Sequence, residues 1–233
     1  MGPGHARTLR TKLGFVLPEL VAASARLAAH PGVREIYPAY LATMHGVIRA
    51  SVPLMETAHA RARGMGPGDP VAAGLADYLE AHIAEEAHHD EWLLDDLEVL
   101  GHDRASVLAR TPSPTVASVV GAQYYWVLHH HPVTLLGYIA VLEGYPPTKE
   151  LSDDLIARTG YPRRAFRTLL AHAVLDPRHR DDLDALLDAL PLTVADEASV
   201  GLSALFSVRH LARMVGEVVD AAERGMAAAA PAA

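Results

Sequence analysis

Two helical stripes in this sequence carry residues that could hold metal ions. Around "HIAEEAHHDEWLLDDL" (82–97), a face stepped in threes and fours runs Leu75, Leu79, His82, Glu86, His89, Leu93, Leu97 and Leu100. The stripe is apolar, then polar, then apolar, so His82, Glu86 and His89 are predicted to point into a core. His88, Asp90, Asp95 and Asp96 fall off it and read as a solvated face. In "LLAHAVLDPRHRDDLDALLDAL" (169–190), Leu169, His172, Asp176, His179, Leu183, Leu186 and Leu190 follow one face in the same way. A third position is Glu143, the single ionisable acid between Pro132 and Pro147.

An ionised carboxylate buried alone is costly, so these groups must pair or share a cation. Glu86, His89, Glu143, His172, Asp176 and His179 offer three imidazoles and three carboxylates, a donor mix suited to iron or manganese in a helical bundle. Three carboxylates nearly balance two divalent cations, which favours a dinuclear site. Taken singly, each residue reads equally well as a satisfied core polar group, with Asp176 capping a helix that begins at Pro177. Two polar triplets and an isolated Glu together favour a shared cation.

The elements that must position these residues are helices. Leucine- and alanine-rich segments show helical spacing, and no stretch has the alternation of a strand set. Helices are expected at 6–29, 34–64 (bent near Pro53), 70–100, 115–130, 132–144, 149–159, 162–175, 177–190 and 195–226. Pro/Gly clusters at 30–32, 64–70, 111–114, 144–147 and 190–193 separate them. Pro177 removes a backbone hydrogen bond beside Asp176 and should kink or loosen that turn. The domain expectation is one helical metal-binding domain over 1–226, followed by a disordered tail, "AAAAPAA", at 227–233.

The 233-residue chain carries a formal charge of −8 and no dense basic stripe, which disfavours nucleic acid as a partner. Its apolar runs fall short of a membrane span, and its N-terminal stretch has no clean apolar signal region, so a cytoplasmic protein is expected. The absence of cysteine excludes disulfides, thiolate nucleophiles, iron–sulfur clusters and thiolate-bound zinc. Any metal must be held by His, Asp and Glu, and the 14 histidines make imidazole chemistry the natural place to look.

Other motifs carry less. "YYWVLHHHP" (124–132) points three histidines in three directions, of which one is expected to line a pocket. Tyr124, Trp126 and Tyr138 are candidates for the wall of a substrate cavity, and Glu56 for a contact to a polar substrate. Glu56 and His59 form a second Glu-x-x-His, which invites a ferritin-like diiron reading but leaves His172, Asp176 and His179 unexplained.

"EEAHHDEWLLDDL", "QYYWVLHHHPVTLLGYIAVLEG" and above all His172-x3-Asp176-x2-His179 resemble the haem-oxygenase-like diiron oxidases and oxygenases, the iron-containing redox enzymes, over roughly residues 35–215. The resemblance implies an all-α, single-domain, seven-helix haem-oxygenase-like bundle. It implies a carboxylate and His89 from the third helix as ligands, with Glu143, His172, Asp176 and His179. Family members differ in where the first carboxylate lies. This chain has His82 at one such position and Glu86 at the other, so Glu86 is taken as the ligand and His82 as its supporting or alternative group. The resemblance further implies a mobile helix around the last three ligands and a weakly held second metal.

Three relatives of the same bundle are set aside on residues. A thiaminase-type hydrolase needs a nucleophilic Cys, a haem oxygenase needs an N-terminal axial His where this chain offers only His5, and a metal-free ring oxidase does not need this ligand set. The expected function is an O2-dependent diiron oxidase or oxygenase with two Fe(II) per chain, manganese being the alternative metal. Its substrate is expected to be a small organic molecule: an amino acid, an amine or a fatty acid. The competing expectation is a helical metal- or ligand-binding module without turnover. A homodimer is left open, and no membrane partner is expected.

Overall fold

The computed structural model of the protein describes residues 4–229. Its regular structure is helical throughout, with no strand among the described residues. α1 (His5–Gly14) and α2 (Leu17–Ala29) precede α3 (Val33–Ile48) and α4 (Ser51–Met65). α5 (Pro70–Glu86) and α6 (His89–Val99) follow, then the short α7 (Arg104–Leu108) and α8 (Pro114–His129). A 3-10 turn (Pro132–Thr134) leads into α9 (Leu135–Leu142), and α10 (Lys149–Thr159) comes next. A second 3-10 turn (Arg163–Phe166) opens α11 (Arg167–Ala189), and α12 (Val194–Ala229) is last. Of the tail expected at 227–233, residues 227–229 continue α12, and 230–233 lie outside the described residues. Among the described residues no helix is long and apolar enough to cross a membrane.

There are more segments than the seven expected because long helices are interrupted. The stretch expected at 6–29 breaks after Gly14, since Pro18 begins a new helix in the first turn of α2, where its missing N–H costs nothing. The stretch expected at 34–64 breaks at Arg49–Ala50, which puts Pro53 into the first turn of α4 for the same reason. The stretch expected at 70–100 breaks at Ala87–His88 with neither Gly nor Pro present. His88 takes a left-handed conformation (φ 70°), the one non-glycine residue with positive φ among those described.

The reverse holds at Pro177, where the expected break between 175 and 177 is absent and α11 runs unbroken through 23 residues. Pro177 is exposed while Asp176, His179, Leu183 and Leu187 face inward, so burial of one face holds the helix through the lost bond.

The core forms two apolar clusters. One joins α1, α4, α5, α8 and α9, with Leu54, Leu75, Leu79, Val127 and Leu136 at its centre. The other joins α2, α3, α6 and α10 through Ile36, Tyr37, Leu94, Leu97 and Phe166. α12 serves both, with Val200 to Met214 in the first and Val215 and Val219 in the second. A cavity of about 760 Å3 lies between the clusters, lined by Met55, Ile139 and Met214 on one side and Tyr37, Leu41 and Leu93 on the other.

Two glycines fix the element that carries Glu143. A Cβ at Gly137 would collide with the Val200 carbonyl oxygen, so α9 can lie against α12 only without a side chain there. A Cβ at Gly144 would meet the Ala140 carbonyl oxygen, so the chain can turn out of α9 immediately after Glu143.

Candidate metal centre

Four elements deliver the cluster. α5 brings His82 and Glu86, α6 starts on His89, the C-terminal end of α9 brings Glu143, and α11 brings His172, Asp176 and His179. His82, Glu86, His89, Glu143, Asp176 and His179 are all buried, and His172 is partly so. The break at His88 means that Glu86 and His89 are not stacked on one helix as their spacing suggests. They meet across a turn, where His89 Nδ1 donates to Glu86 Oε2 at 2.9 Å.

The contacts knit the elements together. His82 Nε2 donates to Glu143 Oε1 at 3.0 Å. His179 Nδ1 lies 3.3 Å from Glu86 Oε1 and 3.6 Å from Glu143 Oε2. His172 Nδ1 lies 2.9 Å from the Thr168 carbonyl, which can only accept, so this nitrogen carries the hydrogen and Nε2 keeps the lone pair a metal needs. The ligand atoms of Glu86, His89 and His172 lie within 4.8 Å of one another, as do those of His82, Glu86 and Glu143. Glu86 belongs to both groups.

Burial sets the charges. It pushes the Asp176 carboxyl up to about 8, with the Glu143 and Glu86 charges adding to the effect. Burial would also lower His82, but its hydrogen bond to Glu143 and the charges of Glu143, Glu86 and Glu85 outweigh that and raise it. Burial opposes ionisation of Glu86, yet the His89 hydrogen bond, with His89, His82 and His172 charges, holds its carboxyl below the usual range. His172 is pushed down, chiefly by burial.

Seven buried side-chain N and O atoms lack a hydrogen-bond partner among the described residues, and four of them converge here: Glu86 Oε1, Glu143 Oε2, Asp176 Oδ1 and His179 Nδ1. Buried polar atoms are normally satisfied, so four orphans in one cluster mark a place for something with positive charge. The donor set of carboxylate oxygens and imidazole nitrogens fits iron or manganese.

The supporting residues were not legible as such in the sequence. Asp96, assigned to a solvated face, is 0% exposed and accepts from the backbone N–H groups of Arg167 and Thr168 at 3.0 Å each. It thereby caps α11, so the helix that bears His89 fixes the start of the helix that bears His172. Trp92, one turn after His89, packs on that imidazole at 3.9 Å between ring centroids. Tyr78 stacks on His82 at 5.1 Å and keeps a buried hydroxyl without a partner. Glu85, beside the stripe, places Oε2 3.5 Å from His179 Nε2. His82, the alternative ligand, is instead hydrogen-bonded to Glu143 from a position within ligand reach of it.

The residues expected to wall a substrate cavity stand differently toward this one. Tyr138 lines the cavity, whereas Glu56, Tyr124 and Trp126 do not. Glu56 is exposed because α4 buries Leu54, Met55, Ala58 and Ala62 instead, so the second Glu-x-x-His does not face the cluster. α8 turns Val119, Gln123 and Val127 inward, leaving Tyr124 at the margin and Trp126 against Phe206 at 5.3 Å. None of the three consecutive histidines lines the cavity either. His129 and His130 are exposed. His131 Nδ1 accepts from the Val133 N–H, and its Nε2 donates to Asp69 at 3.2 Å. His5 begins α1 and bonds Glu197 at 2.9 Å.

An all-α haem-oxygenase-like bundle with a buried carboxylate and imidazole cluster at the edge of an apolar cavity is the class these features define. The chain belongs to the family described as iron-containing redox enzymes, which it matches over residues 38–214. Similar solved structures agree on the fold. One, a domain of unknown function with a haem-oxygenase-like fold from Shewanella denitrificans, superposes with a TM-score of 0.77 at 19% identity, covering 97% of this chain and 95% of its own. A CADD-like protein of unknown function from Nostoc punctiforme gives 0.64 at 17% identity, covering 93% and 97%. A TenA homologue from Pseudomonas syringae gives 0.63 at 12% identity, covering 89% and 92%. None of the curated proteins matches the sequence.

Proposed function

We propose that the protein is a non-haem diiron oxidoreductase that uses O2 to oxidise a small organic substrate held in the cavity. The observation that carries this reading is the convergence of four buried, unpartnered ligand atoms from Glu86, Glu143, Asp176 and His179. The groups Glu86, His89, His172 and His82, Glu86, Glu143 share Glu86, which supports a two-ion site rather than one. Glu86, His89 and His172 would hold one ion. Glu143, Asp176 and His179, with Glu86 in common, would hold the other.

Bound iron would supply the electrons and open positions that O2 chemistry requires. The chain's own residues do the rest. Thr168 fixes the His172 tautomer through its carbonyl, and Trp92 packs the His89 ring in place. His82 donates to Glu143 and stacks on Tyr78, which orients that carboxylate. Asp176 keeps a proton that it must release to become a ligand, so loading with metal discharges protons. The cavity wall beside the cluster is largely apolar.

Anaerobic Fe(II) titration followed by O2 uptake tests the reading. Close to two Fe(II) per chain are expected, with O2 consumed on exposure, and Glu86→Ala should lose both ions. No iron uptake by the intact protein would overturn it. Uptake without O2 consumption would favour a metal-binding module instead.

A further inference from the structure

The groups of side chains able to hold a cation form a chain rather than a single knot. Glu86, His89 and His172 share Glu86 with the group His82, Glu86 and Glu143, and that group shares His82 with a third, made of His82, Glu85 and His179. The two-ion assignment leaves the third group unused. It differs from the others in that Glu85 is exposed, whereas His82 and His179 are buried.

This outer group steps from solvent to the interior. Glu85 follows His82 by three residues near the end of α5, so about one helical turn separates the buried imidazole from the exposed acid. His179 has acids on both sides. Its Nε2 lies 3.5 Å from Glu85 Oε2, while Nδ1 faces Glu86 Oε1 at 3.3 Å and Glu143 Oε2 at 3.6 Å. Nδ1 is one of the buried atoms without a hydrogen-bond partner, so the imidazole stands between an outer acid and two inner ones with its inner nitrogen unclaimed.

A hydrated dication can reach the buried cluster from this side or through the cavity. It gives up its waters in steps, and each step needs an oxygen or nitrogen in exchange. The cavity is the poorer path, because away from the cluster its wall is largely apolar and it carries a cation, Arg180. The Glu85 side offers a carboxylate at the surface and an imidazole behind it. Arg178, next to His179 in sequence, sits on that carboxylate, with Nη2 2.6 Å from Glu85 Oε1. Its side chain is 70% exposed, and a pair so open to solvent is weak enough for a dication to displace.

We propose that His82, Glu85 and His179 form a third, outer cation site through which a divalent metal enters the buried cluster, displacing Arg178 from Glu85 as it arrives. The inference rests on the metal reading above and adds a route to it. An ion held there passes inward across His179 and His82, the residues that border Glu86 and Glu143. Glu85 touches the ion in passing, so it sets how fast metal enters and leaves rather than how tightly it is finally held.

The test follows Mn(II) entering the metal-free protein by stopped flow against a fluorescent chelator, with release into excess EDTA and an equilibrium titration on the same variants. Glu85→Gln should slow entry and release together by about tenfold, keep the Kd within about threefold and leave the number of ions bound unchanged. Arg178→Gln should speed entry by up to about fivefold. Glu80→Gln, which alters another arginine-paired acid of α5, held by Arg63 at 2.7 Å, should have no such effect. Entry as fast in Glu85→Gln as in the intact protein would overturn the inference and spare the metal reading. So would a Kd weakened by faster release alone, which would mean that Glu85 only orients His179. A wild-type protein that takes up no Mn(II) would overturn the metal reading and the entry site with it.

Discussion

In the metal-free protein Asp176 keeps its proton up to about pH 8, because it is buried beside Glu143 and Glu86. An unfolded chain would release that proton near pH 4. The folded state therefore binds the extra proton between those limits, and stability is lost as pH rises through the window, at about 1.4 kcal/mol per pH unit from this group. His82, also raised, acts in the same direction above its ordinary range. Glu86, held low, acts oppositely and only in acid. Urea unfolding at pH 5, 6, 7 and 8 in chelator should show stability falling with pH, and Asp176→Asn should flatten the slope. A slope unchanged by Asp176→Asn would mean that the carboxyl is ionised in the folded protein. The cluster is thus poised, since the protons that stabilise it without metal occupy the atoms that metal would claim.

At the scale of elements, two features place the ligands and both escape a reading by periodicity. The turn at Ala87–His88 lets Glu86 and His89 face each other, at the cost of a left-handed histidine. His88→Gly should relieve that strain and stabilise the protein by up to about 1 kcal/mol, whereas a β-branched residue should destabilise it. A neutral result for both would show that His88 carries no strain. Asp96, by accepting from Arg167 and Thr168, begins α11. Asp96→Ala should cost about 1–3 kcal/mol and speed hydrogen exchange in the first turn of α11. Unchanged exchange there would remove its capping role.

Both polar stripes were legible because side chains one turn apart repeat in threes and fours along each helix. The turn inside the first stripe was not, since nothing in "EEAHHDE" is a breaker. Nor was the cap, because an acceptor that serves another helix leaves no trace in its own helix's period. Pro177 misled in the other direction: its missing donor lies on an exposed stretch, and the buried face of α11 outweighs it. Tyr124 and Trp126 stand outside this cavity for a related reason. Tyr124 and Trp126 sit at helical spacing, but which face of α8 turns inward is set by Val119, Gln123 and Val127 packing with the rest of the bundle.

For the whole molecule, the cluster and the cavity lie where the two apolar clusters part, and α12 is the long element that serves both sides. His82 and Glu143 belong to elements of the first cluster, His89 to an element of the second, and α11 reaches across with Leu183 and Leu187 in the first and Leu169 packed on the second. Candidate ligands drawn from both sides mean that a bound cation would cross-link them, so metal affinity would become stability of their relative placement. The protection it confers should therefore be spread over four elements rather than confined to the α11 segment around Pro177. On adding Mn(II) or anaerobic Fe(II), hydrogen exchange should slow together at the end of α5, the start of α6, the end of α9 and residues 172–182 of α11. Slowing limited to α11 would mean that His172, Asp176 and His179 bind metal on a preformed floor, and that the two halves of the core need no cation to stay in register.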